Sequence, residues 1–203
     1  MEDRQALRDS SIESVLPLWG EADARILEHA SALIAARGTS RLTIAELARE
    51  AGVSRPTIYR RWASTDEVVR AALLRQTVEI VHRLSPRIDE RRDLVSEVLR
   101  FADLFAEDPV FGRLLATEPA SFTQYSLERV GTSQRVMLSW LADAIARCQG
   151  TESVRSGDRD DMSVMLLLIV QSAILSHRAV ASLIGTREWR AELAHAVDGY
   201  LRP

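Results

Sequence analysis

Apolar residues recur three and four positions apart along most of the chain, and the two-residue alternation of strands is missing. That spacing predicts helices and no sheet. A first helix is expected from about Glu21 to Arg37, where Ala24, Leu27, Ala30, Leu33 and Ile34 share a face and Gly38 closes the end. A second begins with Thr43 as N-cap and Glu46 as its capping-box partner, and stops at Gly52. A third, very short, follows Ser54, a good N-cap, and tolerates Pro56 in its first turn. The fourth opens on Ser64 and Glu67, carries Val68, Val69, Ala72, Leu73, Val78 and Val81 to about Leu84, and ends at Ser85-Pro86.

Beyond Pro86, the clearest break in the chain, longer helices are expected. One covers about 89–106, and a short one starts at Asp108-Pro109 and reaches Thr117. A long one runs from about Pro119 to Cys148, bent or broken at Gly131. The polar stretch "GTESVRSGD" is the segment expected to be disordered. Then come a helix from Arg159 to Ile184, ended by Gly185, and a final one capped by Thr186 and running to about Leu201. Residues 1–19 show weak periodicity and read as an arm. No internal repeat is present.

Composition narrows the function. The formal net charge is −3, so bulk charge does not make this a polyanion binder, and any nucleic-acid contact must come from a local patch. All 26 basic residues are arginine, with no lysine and no asparagine in the chain. Codon bias of a GC-rich genome accounts for that, but it makes every basic contact a planar guanidinium, suited to phosphate and guanine edges. A single cysteine, Cys148, permits no internal disulfide and favours a reducing, cytoplasmic setting. The N-terminus has no apolar signal core. The longest apolar run, Met162 to Leu175, is shorter than the roughly 20 residues of a membrane span and is interrupted by Ser163, Gln171 and Ser172. A buried helix and no membrane partner are expected there. His29, His82, His177 and His195 are scattered without zinc-site spacing, and neither a phosphate loop nor a G-x-S-x-G elbow occurs. No metal, cofactor or enzymatic activity is expected.

The stretch "AGVSRPTIYRRW", residues 51–62, carries the most specific chemistry. Two short helices joined by Ala51-Gly52-Val53-Ser54 fit a helix-turn-helix. Ala48 is small where the helices cross, Gly52 can take positive φ, and Leu47, Val53 and Ile58 supply the inward face. Arg55, Thr57, Arg60 and Arg61 are left without an apolar role. From Arg41 to Trp62, five arginines stand against two glutamates, so this stretch is at +3 and the rest of the chain at −6. Positive charge gathered where an exposed helix begins is the pattern of a recognition helix entering the major groove.

"LTIAELAREAGVSRPTIYRRWASTDEVVRAAL" resembles the DNA-binding region of the tetracycline-repressor (TetR) family of bacterial regulators. The likeness covers residues from about 21 to 75; beyond it the chain agrees with the family in length and helicity. The resemblance implies an all-α fold: an N-terminal three-helix helix-turn-helix DNA-binding domain (20–65) and a larger helical effector-binding and dimerisation domain (66–203), with 66–84 as the connecting helix. The implied function is a homodimeric transcriptional regulator, a repressor released from double-stranded operator DNA by a small effector. Thr43 would bond a phosphate, Arg55 and Thr57 would face the groove, and Tyr59 would lie on the sugar-phosphate backbone. Ser54, Arg60 and Arg61 belong to the same DNA-facing set, and Trp62 stands at the family's phenylalanine, as core. Thr65 departs from the lysine that many members carry there, and Arg60 or Arg61 is the candidate substitute.

The C-terminal part yields coarser expectations. Residues 162–175 are apolar nearly all round and need cover on several sides. A dimer interface is expected from the last two helices, through Leu168, Leu175, Trp189, Leu193 and Val197; packing within one chain would explain the same pattern. Pocket candidates are Phe101, Phe105, Phe111, Phe122, Tyr125, Met137, Trp140, Met165 and His177, residue types that more often simply fill a core. No charged cluster marks the pocket, which points to an apolar effector. The alternative is a DNA-anchored module whose helical domain binds a partner protein; a closed cavity on the order of a few hundred Å³ would favour the small molecule.

Overall fold

The computed structural model describes residues 19–120, 122–123 and 130–203, all outside strands. Nearly all of the expected 1–19 arm lies outside the described residues. The helices are α1 (Glu21–Arg37), α2 (Ile44–Glu50), α3 (Arg55–Tyr59), α4 (Thr65–His82), α5 (Arg91–Glu107), α6 (Pro109–Thr117), α7 (Thr132–Gly150), α8 (Arg159–Val180) and α9 (Thr186–Leu201). Gly131 is a break, since α7 begins only after it. α8 ends four residues before Ile184, where Leu183 and Ile184 both turn their N–H groups back to the Val180 carbonyl.

By compactness the chain divides into two units. Of the described residues, one unit combines 19–79 with those of 107–133, and the other combines Ile80–Ala106 with Gln134–Pro203. In the first unit α1 buries Ile26, Leu27, Ala30 and Ile34 and packs against both α2 and α6. α6 starts cleanly because Asp108 accepts the Val110 and Phe111 N–H groups at 2.9 and 3.0 Å. It buries Val110, Phe111 and Leu114, with the Phe111 and Phe122 rings 5.9 Å apart.

The second unit is built on Leu94, Val98 and Ala102 of α5, Val136, Leu138 and Ile145 of α7, Leu166 and Val170 of α8, and Leu193, Val197 and Leu201 of α9. Arg91 pairs with Asp198 at 2.9 Å, tying α5 to α9. The hydrogen bond from Arg202, helped by Arg91, holds the Asp198 carboxyl below the usual carboxylate range. Burial pushes the Cys148 thiol above its ordinary value, so it stays protonated at neutral pH.

The stretch expected to be disordered is instead tied down. Arg155 donates its backbone N–H to Leu201 O at 3.0 Å and its Nε to Tyr200 O at 2.9 Å, and its guanidinium lies 4.7 Å above the Tyr200 ring. Gln149 Nε2 bonds the Arg155 and Gly157 carbonyls, Val154 is buried, and Asp158 caps α8. Polarity marks a loop but does not make it mobile; here the polar groups find partners from α7 and α9.

The expectation of a buried helix over 162–175 holds for one face only. α8 buries Met162, Ser163, Leu166, Leu167, Val170 and Ile174, and leaves Val164, Met165 and Leu168 exposed. The apolar run is short, but the helix has 22 residues and is long and apolar enough, by length and composition alone, to cross a membrane.

Candidate nucleic-acid interface

Thr43 is the N-cap of α2: its backbone is extended and its Oγ1 accepts the Glu46 N–H at 3.2 Å. The reciprocal half of the expected capping box does not form. Glu46 turns its carboxylate to Arg37 in the last turn of α1, with Arg49 at 3.7 Å on the same oxygen. α2 then closes with a Schellman arrangement. Val53 N–H reaches Ala48 O at 2.9 Å and Gly52 N–H reaches Arg49 O at 3.3 Å, with Gly52 at φ +65°. A Cβ on Gly52 would meet nothing within 4 Å, so the glycine is needed for its backbone alone. Gly52→Ala is therefore expected to lower stability by about 1–2 kcal/mol through left-handed strain, and Gly52→Asn by less. Thermal melts of the two variants check this; equal melting points for both and wild type would remove the strain argument.

Ser54 caps α3, accepting the Thr57 N–H at 3.3 Å, and its hydroxyl lies 2.8 Å from Thr57 Oγ1. α3 is only five residues long and is held by Ile58, which is fully buried, and by Trp62 just beyond it. With those two inward, Arg55, Tyr59 and Arg60 face solvent, Thr57 is half-buried, and Thr43 and Ser54 are exposed. Tyr59 is 52% exposed, a large aromatic surface that packing within the chain does not use. Ser64 accepts the Glu67 N–H at 3.2 Å, and Glu67 reaches back to the Ala63 N–H at 2.8 Å, so Thr65 stands at a well-capped helix start.

The arginines are not equivalent. Arg49 pairs with Glu50 at 2.9 Å. Arg61 Nε lies 3.3 Å from Asp23 Oδ1, in the first turn of α1. Among the described residues, Arg41, Arg55 and Arg60 have no ion-pair partner, which leaves them as the uncommitted positive charge of this surface. The Arg61 pair was not legible in the sequence, since Asp23 lies 38 positions away and reads only as an acid in a first helical turn.

The expected pocket residues scatter. Phe101, Met137 and Trp140 do line one apolar pocket, with Val98, Leu141, Leu167 and Val170, four aliphatic residues that no sequence signal separates from ordinary core. Phe105 lies beside Phe101, ring centres 5.9 Å apart. Phe111 and Phe122 pack on each other within the first unit. Met165 does not reach the pocket: it is 47% exposed on the opposite face of α8 from Leu167 and Val170. His177 stacks on Trp189 at 4.3 Å between α8 and α9. Tyr125 lies outside the described residues. The pocket volume is about 20 Å³, room for a single water and far below the few hundred Å³ that a pre-formed ligand cavity would show.

Among the expected dimer residues, Leu168 is exposed and Leu175 and Trp189 are half-buried. Leu193 and Val197 are buried in the unit's own core, where the inner stripe of α9 packs within the chain. Among the described residues no group of three His, Cys, Asp or Glu side chains is placed to hold a metal ion.

Comparison with known proteins meets this geometry. Residues 26–72 match the family described as "Bacterial regulatory proteins, tetR family". An uncharacterized HTH-type transcriptional regulator of Mycobacterium tuberculosis (strain H37Rv) is 38% identical over 177 residues, covering 87% of this chain and 93% of the relative. Among solved structures, a protein from Rhodococcus sp. described as a TetR-family transcriptional regulator superposes with a TM-score of 0.68 at 23% identity, over 89% of this chain and 98% of that one. FadR of Bacillus subtilis, solved in complex with stearoyl-CoA, gives a TM-score of 0.59 at 15% identity, over 87% and 95% of the two chains.

Proposed function

Because the chain belongs to the tetR family of bacterial regulatory proteins, and is thus a DNA-binding transcriptional regulator and not an enzyme, we propose that it is a cytoplasmic homodimeric repressor that leaves its operator when an apolar small molecule enters its second unit. In this reading Arg55 and Thr57 meet base edges. Thr43, Ser54, Tyr59, Arg60 and the start of α4 at Thr65 meet the phosphate backbone. Arg60 is the substitute for the lysine missing at Thr65, since Arg61 is engaged by Asp23. Residues 20–65 are the reading head, and the two copies meet through the exposed face of α8 near Leu168. The relatives do not favour the alternative of a DNA-anchored protein-interaction module.

The observation that carries the effector's class is the lining of the pocket: Val98, Phe101, Met137, Trp140, Leu141, Leu167 and Val170, with no charged side chain among them. Its small volume means that an effector must open it, so apparent affinity is lowered by the rarity of the open form. Stearoyl-CoA, bound by the Bacillus subtilis protein, has a long apolar chain of the kind such a lining would take.

Trp140 supplies the test. Medium- and long-chain fatty acids, acyl-CoA thioesters and neutral hydrophobic compounds are titrated while tryptophan fluorescence is followed. An effector should change the signal in wild type, and much less in Trp140→Phe. By linkage, a duplex selected by the protein should weaken effector binding by the same factor as effector weakens DNA binding, about 5- to 150-fold. Equal effector affinity with and without the duplex would defeat the repressor-release reading.

A further inference from the structure

The loop between α1 and α2 is held from two sides. On one, Arg37 of α1 pairs with Glu46 of α2. On the other stands Glu118, the C-cap of α6, which comes from 79 residues beyond Thr39. Its two carboxylate oxygens take one hydroxyl each: Thr39 Oγ1 donates to Oε2, and Ser40 Oγ donates to Oε1 at 3.3 Å. The approach depends on Gly38. A Cβ there would collide with Glu118 Oε1, and φ of +85° already disfavours any side chain. Behind the clasp, α6 packs on α1 within the same compact unit.

Little slack separates this clasp from the DNA-facing surface. The Leu42 N–H closes a turn onto Thr39 O at 3.2 Å, Leu42 itself is buried, and the next residue is Thr43, the N-cap of α2. A carboxylate in a unit that reads a polyanion opposes binding by Coulomb repulsion. What Glu118 contributes is therefore geometric. We infer that Glu118 is a positioning residue for DNA binding: by clasping Thr39 and Ser40 it sets where α2 begins, and so where Thr43 meets the phosphate backbone. It makes α6 part of the frame of the reading head, although α6 lies 50 residues beyond α3 in the chain. The inference rests on the proposed phosphate role of Thr43.

The test uses the full chain and two 30-base-pair duplexes, one selected by the wild-type protein from a random-sequence pool and one unselected. Glu118→Ala and Thr39→Val should each weaken binding of the selected duplex about tenfold. Glu118→Gln, which can still accept from Thr39 and donate to Ser40, should stay within about twofold of wild type. All variants are compared by affinity of the active fraction, at a temperature where circular dichroism shows them folded. Amide hydrogen exchange separates positioning from general damage: Glu118→Ala should speed exchange at Ile44 to Leu47 and leave Ile58 unchanged. Full affinity in both Glu118→Ala and Thr39→Val, or Glu118→Gln as weak as Glu118→Ala, overturns the inference. Arg55→Ala serves as control. If it loses affinity and Glu118→Ala does not, Glu118 alone has been misassigned; if neither loses affinity, the reading-head assignment falls and the inference with it.

Discussion

Arg55→Ala is expected to abolish discrimination between selected and unselected DNA while leaving the fold intact. The side chain is exposed and has no ion-pair partner among the described residues, so its removal takes away no internal contact. It stands in the first turn of α3, the end of a recognition helix that enters the groove. A guanidinium bidentate to a guanine edge contributes about 1–3 kcal/mol of discrimination. In a two-headed regulator the loss occurs twice, so affinity for a selected duplex should fall by about 2–6 kcal/mol, roughly 30-fold to more than 10⁴-fold. Arg60→Ala should behave differently. A phosphate contact carries no sequence information, so both duplexes should weaken alike, and the slope of log affinity against log salt should flatten by about 0.9 for each phosphate released. Fluorescence anisotropy at several salt concentrations measures both effects. Equal weakening of selected and unselected DNA by Arg55→Ala would make Arg55 a backbone contact; no weakening of either would remove α3 from the recognition role.

The reading head was legible because local rules decide it. Ser54 caps Thr57 and Gly52 closes the turn, each within a few residues of its partner, and the buried Ile58 and Trp62 stand at helical spacing. What escaped was every tie made across long sequence separations. Glu46 satisfies the sequence pattern of a capping box, yet Arg37 offers its carboxylate a charged partner, and the charge-assisted bond prevails over a backbone N–H. Arg61 meets Asp23, and Glu118 meets Thr39, with nothing in either neighbourhood to announce it. The pocket was half legible for another reason. Phe101, Met137 and Trp140 stand out by size, but Val98, Leu141, Leu167 and Val170 are identical in pattern to core residues that line nothing. Periodicity also failed to rank the faces of α8 and α9. It put Leu168 and Leu193 on apolar stripes alike, and only packing shows one outward and the other inward.

That difference yields the sharpest contrast between two variants of similar chemistry, Leu168→Asp and Leu193→Asp. Leu168 is 48% exposed, beside Val164 and Met165, in a face of α8 that a single chain leaves in water. If two copies cover that face about a two-fold axis, each substitution enters the interface twice and sets two carboxylates against apolar surface. Losing the burial of two leucines removes about 3–6 kcal/mol, and desolvating the new charges adds to it, so the dimer should dissociate at micromolar concentration while each chain stays folded. DNA affinity should fall with it. Two linked heads gain about 10²- to 10⁴-fold over one, and they must reach successive major grooves about 34–36 Å apart. Leu193 is 5% exposed inside the unit's own core, where an unpaired carboxylate costs several kcal/mol against a typical total stability of about 5–15 kcal/mol. Leu193→Asp should therefore lose its helical circular dichroism signal and its cooperative melt. Sedimentation distinguishes the outcomes: a folded species of one-chain mass for Leu168→Asp, and an unfolded or aggregated chain for Leu193→Asp. A Leu168→Asp variant that keeps the wild-type dimer mass would move the interface off this face of α8, and a wild type that sediments as one chain would leave the two-headed reading without its basis.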